Sequence, residues 1–238
     1  MKILLIIPAY NEEASLLNII SEVEVFRKTA QFHLDYVVIN DGSTDATETI
    51  LQKHDINHVE LIMNLGIGGA VQTGYKYALM NDYDIAVQFD GDGQHDIQSL
   101  TSVVTPILEK QANLIVGSRF INTKSSEFQT TFMRRVGINI ISFFIKMVSG
   151  IEILDTTSGY RAADRSIIKL FSERYPIKYP EPGSIVYAAK KGFVIKECEV
   201  NMFERKGGRS SITPVKSVRY MIEVCSSILV AFLMKEND

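Results

Sequence analysis

Phe89-Asp90-Gly91-Asp92-Gly93-Gln94-His95-Asp96 follows the short apolar run Ile85-Ala86-Val87. The run reads as a buried strand and the polar stretch as the loop at its carboxyl end. Asp90 and Asp92 stand two residues apart, with glycines between and after them. That spacing can turn one oxygen-rich edge outward. Mg²⁺ prefers such oxygens and binds through one or two carboxylates plus substrate phosphates. Asp and Gly are also ordinary turn residues, so the run by itself reads equally as a plain loop. A calcium loop of the EF-hand type is excluded. It needs Gly at its sixth position and Glu at its twelfth, where this chain has His95 and Thr101.

Similar units lie upstream. Residues 3–7, 36–39 and 59–63 are apolar runs rich in Ile, Val and Leu. They lead into Pro8-Ala9-Tyr10-Asn11, Asn40-Asp41-Gly42-Ser43-Thr44-Asp45 and Asn64-Leu65-Gly66-Ile67-Gly68-Gly69. Helices are predicted over 12–28, from a Ser43 or Thr44 cap to His54, and from the glycine-rich stretch through Met80. Residues 114–116 make a fifth strand. Strands alternating with helices predict a mostly parallel α/β sheet. Ligands bind such sheets beyond the carboxyl ends of the strands. All four polar loops fall there, so a nucleotide-type site is expected. Gly66, Gly68 and Gly69 do not complete a dinucleotide fingerprint, because its last position is Val71. They read as a close backbone approach to a nucleotide or as a tight strand-to-helix turn. The second half is less regular, with helices predicted over 132–149 and 214–234 and a strand over 194–200.

Composition narrows the class. A chain of 238 residues suits one sizeable domain with an appendage, divided here as 1–212 and an amphipathic C-terminal helix, 213–238. The 46% hydrophobic content supports a real core, and a net charge of −3 gives no bulk attraction to nucleic acid. Cys198 and Cys225 match no metal or redox spacing, and reduced thiols are expected. No window approaches the ~20 apolar residues of a membrane span. Val218, Met221, Ile222, Cys225, Ile228, Leu229 and Phe232 recur at helical spacing, with Lys216, Arg219 and Lys235 at the flanks. This fits an interfacial helix on a membrane, and equally a helix packed on the core or on a partner chain. Lys and Arg are enriched over 190–219, which favours anionic headgroups.

The ordered set of loops, continued by Gly117-Ser118-Arg119-Phe120, Asp155-Thr156-Thr157-Ser158-Gly159-Tyr160-Arg161 and Glu204-Arg205-Lys206-Gly207-Gly208-Arg209-Ser210-Ser211, resembles the family 2 glycosyltransferases. The branch it resembles is the polyprenyl-phosphate sugar transferases, typified by dolichyl-phosphate mannose synthase. The resemblance implies a GT-A fold and an inverting transfer from a nucleotide diphospho-sugar with Mg²⁺ or Mn²⁺. By position, Pro8, Tyr10, Glu12 and Asp41 would hold the base and ribose, with Gly66 and Gly68 beside the nucleotide. Asp90 and Asp92 would hold the metal and diphosphate, and Gln94 would complete the metal shell. Arg119, either Arg134 or Arg135, Arg205 and Arg209 would contact donor or acceptor phosphates. Asp155 would lie on the acceptor side.

The chemistry agrees with these residue types. Negative charge develops on the leaving phosphate, and a metal bridging the two phosphates stabilises it. A lipid phosphate is already ionised, so its attack needs no general base. It needs cations that bring two anions together, and the arginine fork suits that task. An alcohol acceptor would need a carboxylate to take its proton. Asp155 and Glu181 are the candidates, although Asp155 reads equally as a turn residue or a partner of Arg161. His95 reads as a metal ligand or as a structural hydrogen-bonding group.

The expectation is an enzyme that transfers a sugar from a UDP-sugar to polyprenyl (undecaprenyl) phosphate for cell-wall and cell-surface glycan synthesis. It would be cytoplasmic and peripheral on the inner face of the plasma membrane. A small membrane protein and a second copy of the chain are the companions it admits. Rival readings are a glycosyltransferase that extends a glycan directly, and a nucleotidyltransferase, which would release pyrophosphate.

Overall fold

The structure, a computed structural model, describes residues 1–121, 132–203 and 214–233, the side chains of 132–134, 214–220, 231 and 233 excepted. In chain order the elements are β1 (Lys2–Ala9), α1 (Leu16–Arg27), β2 (His33–Asn40), α2 (Thr47–Lys53), β3 (His58–Glu60), α3 (Gly66–Met80) and β4 (Ile85–Gln88). A 3-10 turn, Ile97–Ser99, then leads into α4 (Leu100–Leu108), β5 (Leu114–Ser118), α5 (Phe132–Ser149) and β6 (Arg161–Asp164). The remaining elements are α6 (Arg165–Glu173), α7 (Pro180–Lys190), β7 (Ile195–Glu199) and α8 (Pro214–Leu233).

The strands form a seven-stranded sheet in the order β3-β2-β1-β4-β6-β5-β7. It is mostly parallel, as expected. The exception is β6, which runs antiparallel to both β4 and β5. Alternate side chains of β1 feed two cores, as the period of a strand requires. Ile3, Leu5 and Ile7 pack with α1 and α4 on one face, and Leu4 and Ile6 pack with α3 and α6 on the other.

The sequence order reverses between β1 and β4, the switch point at which such sheets bind ligands. Because β6 is antiparallel, residues 155–160 precede it at the edge where β4 and β5 end. Its sequence, Arg-Ala-Ala-Asp, has no β-branched residue to announce a strand. Ala162 and Ala163 are fully buried between the two neighbouring strands, and pairing rather than propensity sets the conformation. The predicted third strand is shortened. β3 is an edge strand that pairs only with Val38, Ile39 and Asn40, and Ile62 and Met63 beyond it are exposed.

The glycine-rich start of α3 turns out to be a packing device. A Cβ on Gly74 would fall 2.1 Å from a methyl of Ile6, so α3 lies close on β1. A Cβ on Gly68 would fall 2.6 Å from the Ile177 carbonyl oxygen. The Cβ side of Gly68 is therefore closed by the chain's own backbone. Backbone cannot swing aside, so Gly68→Ala is expected to cost about 1–3 kcal/mol, read as a lower urea midpoint. An unchanged midpoint would refute the contact.

α8 buries Val224 and Ile228 against the core that α5 and α7 also line, and leaves Ile222, Val230 and Phe232 exposed. Among the described residues no helix is long and apolar enough to cross a membrane.

Candidate active site

The loops after β1 and β2 are stitched together. The Asn11 amide donates to Ser43 Oγ at 3.0 Å, and the Thr44 amide donates to Asn11 Oδ1 at 2.8 Å. The Glu12 amide donates to Thr47 Oγ1 at 3.0 Å. Ser15 ties this pair of loops to the Asp90 loop, donating to Glu12 Oε2 at 2.7 Å and to the Gly91 carbonyl at 3.0 Å. Gly91 has no room for a side chain, since a Cβ there would meet the Pro8 carbonyl at 2.8 Å. Pro8, Glu12 and Asp90 are thus brought to one place, with Tyr10 exposed beside them. Asp41 is buried, and its Oδ1 accepts from the Leu65 amide at 2.7 Å, which pins the turn into α3. Burial raises the Asp41 carboxyl above its ordinary range, opposed by the Leu65 and Gly66 amides.

Asp90 is oriented from three sides. Gln88 donates its amide to Asp90 Oδ1 at 3.1 Å, and the Asp90 amide donates to His95 Nδ1 at 3.0 Å. With Nδ1 accepting, the ring proton lies on Nε2, 3.5 Å from Asp90 Oδ2. The third side is Gly159, where a Cβ would fall 2.6 Å from Asp90 Oδ2. Asp92 Oδ1 accepts from the Gln94 amide at 3.0 Å, which closes the loop on itself. His95 is buried, stacks on Tyr160 at 4.6 Å and meets Phe89 edge-on at 5.5 Å. Burial pushes its imidazole below the ordinary value, against the pull of the Asp90 and Asp92 carboxylates. These contacts favour the structural reading of His95 over the ligand reading.

Among the described residues no group of three His, Cys, Asp or Glu side chains forms a metal site by itself. Two carboxylates on one edge instead suit a hard cation that arrives with a diphosphate and keeps other oxygen ligands.

Arg119, at the end of β5, turns its fork onto Asp155. Nε lies 2.6 Å from Oδ2 and Nη2 lies 2.7 Å from Oδ1, and Nη2 also reaches Thr157 Oγ1 at 3.2 Å. Asp155 is fully buried. Its partner is thus Arg119, not Arg161. The Arg135 guanidinium lies 3.8 Å over the Phe120 ring, and its buried Nη1 has no hydrogen-bond partner among the described residues. Arg205 and Arg209 lie outside the described residues, as does the side chain of Arg134. Glu181 opens α7, and its carboxyl is raised by burial, opposed by the positive charge of Arg161 and reinforced by Asp90.

Sequence reading missed Ser15, Gln88 and Gly159. A polar residue at the end of a buried strand was the available signal for Gln88. Gly159 was visible only as a member of the 155–161 segment, because the contact that requires it is made with the end of the neighbouring strand.

The fold and this edge together define a GT-A-like glycosyltransferase. The chain belongs to glycosyl transferase family 2, which its residues 4–171 match. The UDP-N-acetylglucosamine–dolichyl-phosphate N-acetylglucosaminyltransferase of Methanococcus voltae is 33% identical over 208 residues, 79% of this chain and 80% of that protein. The polyprenol monophosphomannose synthase of Mycolicibacterium smegmatis is 27% identical over 223 residues, 88% of this chain and 80% of that protein. In fold, the chain is similar to glucosyl-3-phosphoglycerate synthase from Mycobacterium tuberculosis, solved with Mn²⁺, UDP-glucose and phosphoglyceric acid. The TM-score is 0.69 over 99% of this chain and 81% of that one, at 17% identity.

Proposed function

We propose that this glycosyltransferase moves a sugar from UDP to the phosphate of a polyprenyl lipid, undecaprenyl phosphate, with inversion at the sugar carbon. The observation that carries the reading is the Arg119–Asp155 pair. Both oxygens of Asp155 are taken up by the guanidinium, so this carboxylate is not available to deprotonate an alcohol. A lipid phosphate needs no such base. It needs cations, and Arg135 offers a buried donor that an incoming phosphate oxygen would satisfy. The relatives named for transfer to dolichyl phosphate and polyprenol phosphate support the same acceptor.

On the donor side, Tyr10, Glu12 and Asp41 take the nucleoside, with Pro8 shaping the floor. Asp90 and Asp92 would hold Mg²⁺ or Mn²⁺ together with the diphosphate, with the Gln94 side-chain amide in the same loop as a further ligand. Such an ion, when bound, offsets the charge on the departing diphosphate. The exposed Ile222, Val230 and Phe232 of α8 support peripheral attachment to the inner leaflet, directly or through a small membrane protein.

The test is nucleoside diphosphate release from a panel of UDP- and GDP-sugars, with Mg²⁺ or Mn²⁺, with and without undecaprenyl phosphate. Release that requires one UDP-sugar and the lipid is expected. Donor binding without lipid-dependent release would favour direct glycan extension, with Glu181 as the proton acceptor. Pyrophosphate among the products would favour a nucleotidyltransferase. Asp92→Ala is expected to lower release by roughly 10²–10³-fold while preserving the circular dichroism spectrum. Near-normal release would sink the metal assignment.

A further inference from the structure

We propose that Arg161 is a positioning residue for the acceptor side, tying the 155–159 loop to the N-terminus of α7. Arg161 opens β6 and is among the largest fully buried side chains of the protein. On one side its Nε donates to the Ser158 carbonyl at 2.8 Å and its Nη2 to the Thr156 carbonyl at 3.3 Å. On the other side Nη1 donates to the Glu181 carbonyl at 2.6 Å and to Ser184 Oγ at 2.7 Å. All four acceptors are neutral. A buried arginine is ordinarily held by a carboxylate in contact, as Arg119 is here. Arg161 uses the reach of its flat fork to bridge two chain segments, a geometry that a single ammonium cannot reproduce.

Both segments face the chemistry. The loop carries Asp155, which holds Arg119, and Gly159, against which the Asp90 carboxylate rests. α7 begins with Pro180 and Glu181. Arg161 also stands opposite Gln88 in the β4–β6 register, and Gln88 orients Asp90. A slip of α7 against the loop would therefore shift acceptor-side groups relative to the metal edge, and such displacements lower rates steeply. This rests on the reading that an acceptor meets the donor at this edge.

The experiment compares Arg161→Lys and Ser184→Ala with the wild type in three measurements. These are kcat/KM for undecaprenyl phosphate, the affinity for UDP with Mn²⁺, and hydrogen exchange of the 156–159 and 183–186 amides. Arg161→Lys is expected to speed exchange in both segments and to lower kcat/KM for the lipid about tenfold or more. UDP affinity should fall less than kcat/KM for the lipid, since Arg161 ties the loop to α7 directly and reaches Asp90 only through Gly159 and Gln88. Ser184→Ala, which removes one tie, should move the same quantities less. It decides the matter if Arg161→Lys does not fold. Unchanged exchange in both segments, or UDP affinity falling in step with turnover, would overturn the proposal. A wild type without lipid-dependent turnover would refute the acceptor reading, and the exchange and UDP measurements would still judge Arg161.

Discussion

Gly159→Ala is expected to lower turnover about a hundredfold while the chain keeps its fold. The added methyl would sit 2.6 Å from Asp90 Oδ2 and 2.9 Å from Gln88 Nε2. Both atoms are the far ends of side chains and can swing away, so the main chain has little reason to move. What moves is the carboxylate assigned to the metal and the amide that orients it. The expected signature is a loss of kcat and of Mn²⁺-dependent UDP affinity, with a melting temperature near that of the wild type. It is opposite to the signature of Gly68→Ala, where the added methyl meets backbone and stability falls. Turnover of Gly159→Ala within threefold of wild type would show that the Asp90 carboxylate tolerates displacement, and the assigned edge would have to be abandoned.

Removing Asp155 should have the largest effect on stability. Asp155→Ala deletes the carboxylate that two nitrogens of the buried Arg119 bind, at 2.6 and 2.7 Å, and that also accepts from the Arg119 amide at 3.2 Å. Breaking a buried pair from one side costs about 3–5 kcal/mol, because the remaining charge stays out of water. The urea midpoint should fall accordingly. The double variant Arg119→Met/Asp155→Leu should recover most of that loss, since replacing both charges avoids the unpaired one. Turnover should not recover with it, because the cation is gone. A double variant no more stable than Asp155→Ala would show that the pair is not what Asp155 contributes.

The contrast between Asp90 and Asp155 explains how much was legible beforehand. The Asp90 loop could be read because strand, turn and carboxylates are contiguous, and their periodicity and turn chemistry are local properties. The same holds for the loops after β1 and β2, whose Asn, Asp, Ser and Thr side chains bond within or between adjacent turns. Asp155 was legible only as an acid near the acceptor, with Arg161 as a partner or a turn in view. Its actual partner is 36 positions away and is chosen by the direction of β6.

The sequence by itself determined the strand–helix alternation, the mostly parallel sheet, the four polar loops at strand ends and the family. These follow from the spacing of apolar residues and from turn residues, which act over a few positions. Only the tertiary structure decided that β6 runs antiparallel, that Gly68 is filled by Ile177, that Gly159 underlies Asp90, and that Arg119 and Arg161 hold different segments of one loop. Those outcomes depend on which surfaces are buried against which. Burial and pairing are properties of the whole sheet, and no window of the chain carries them.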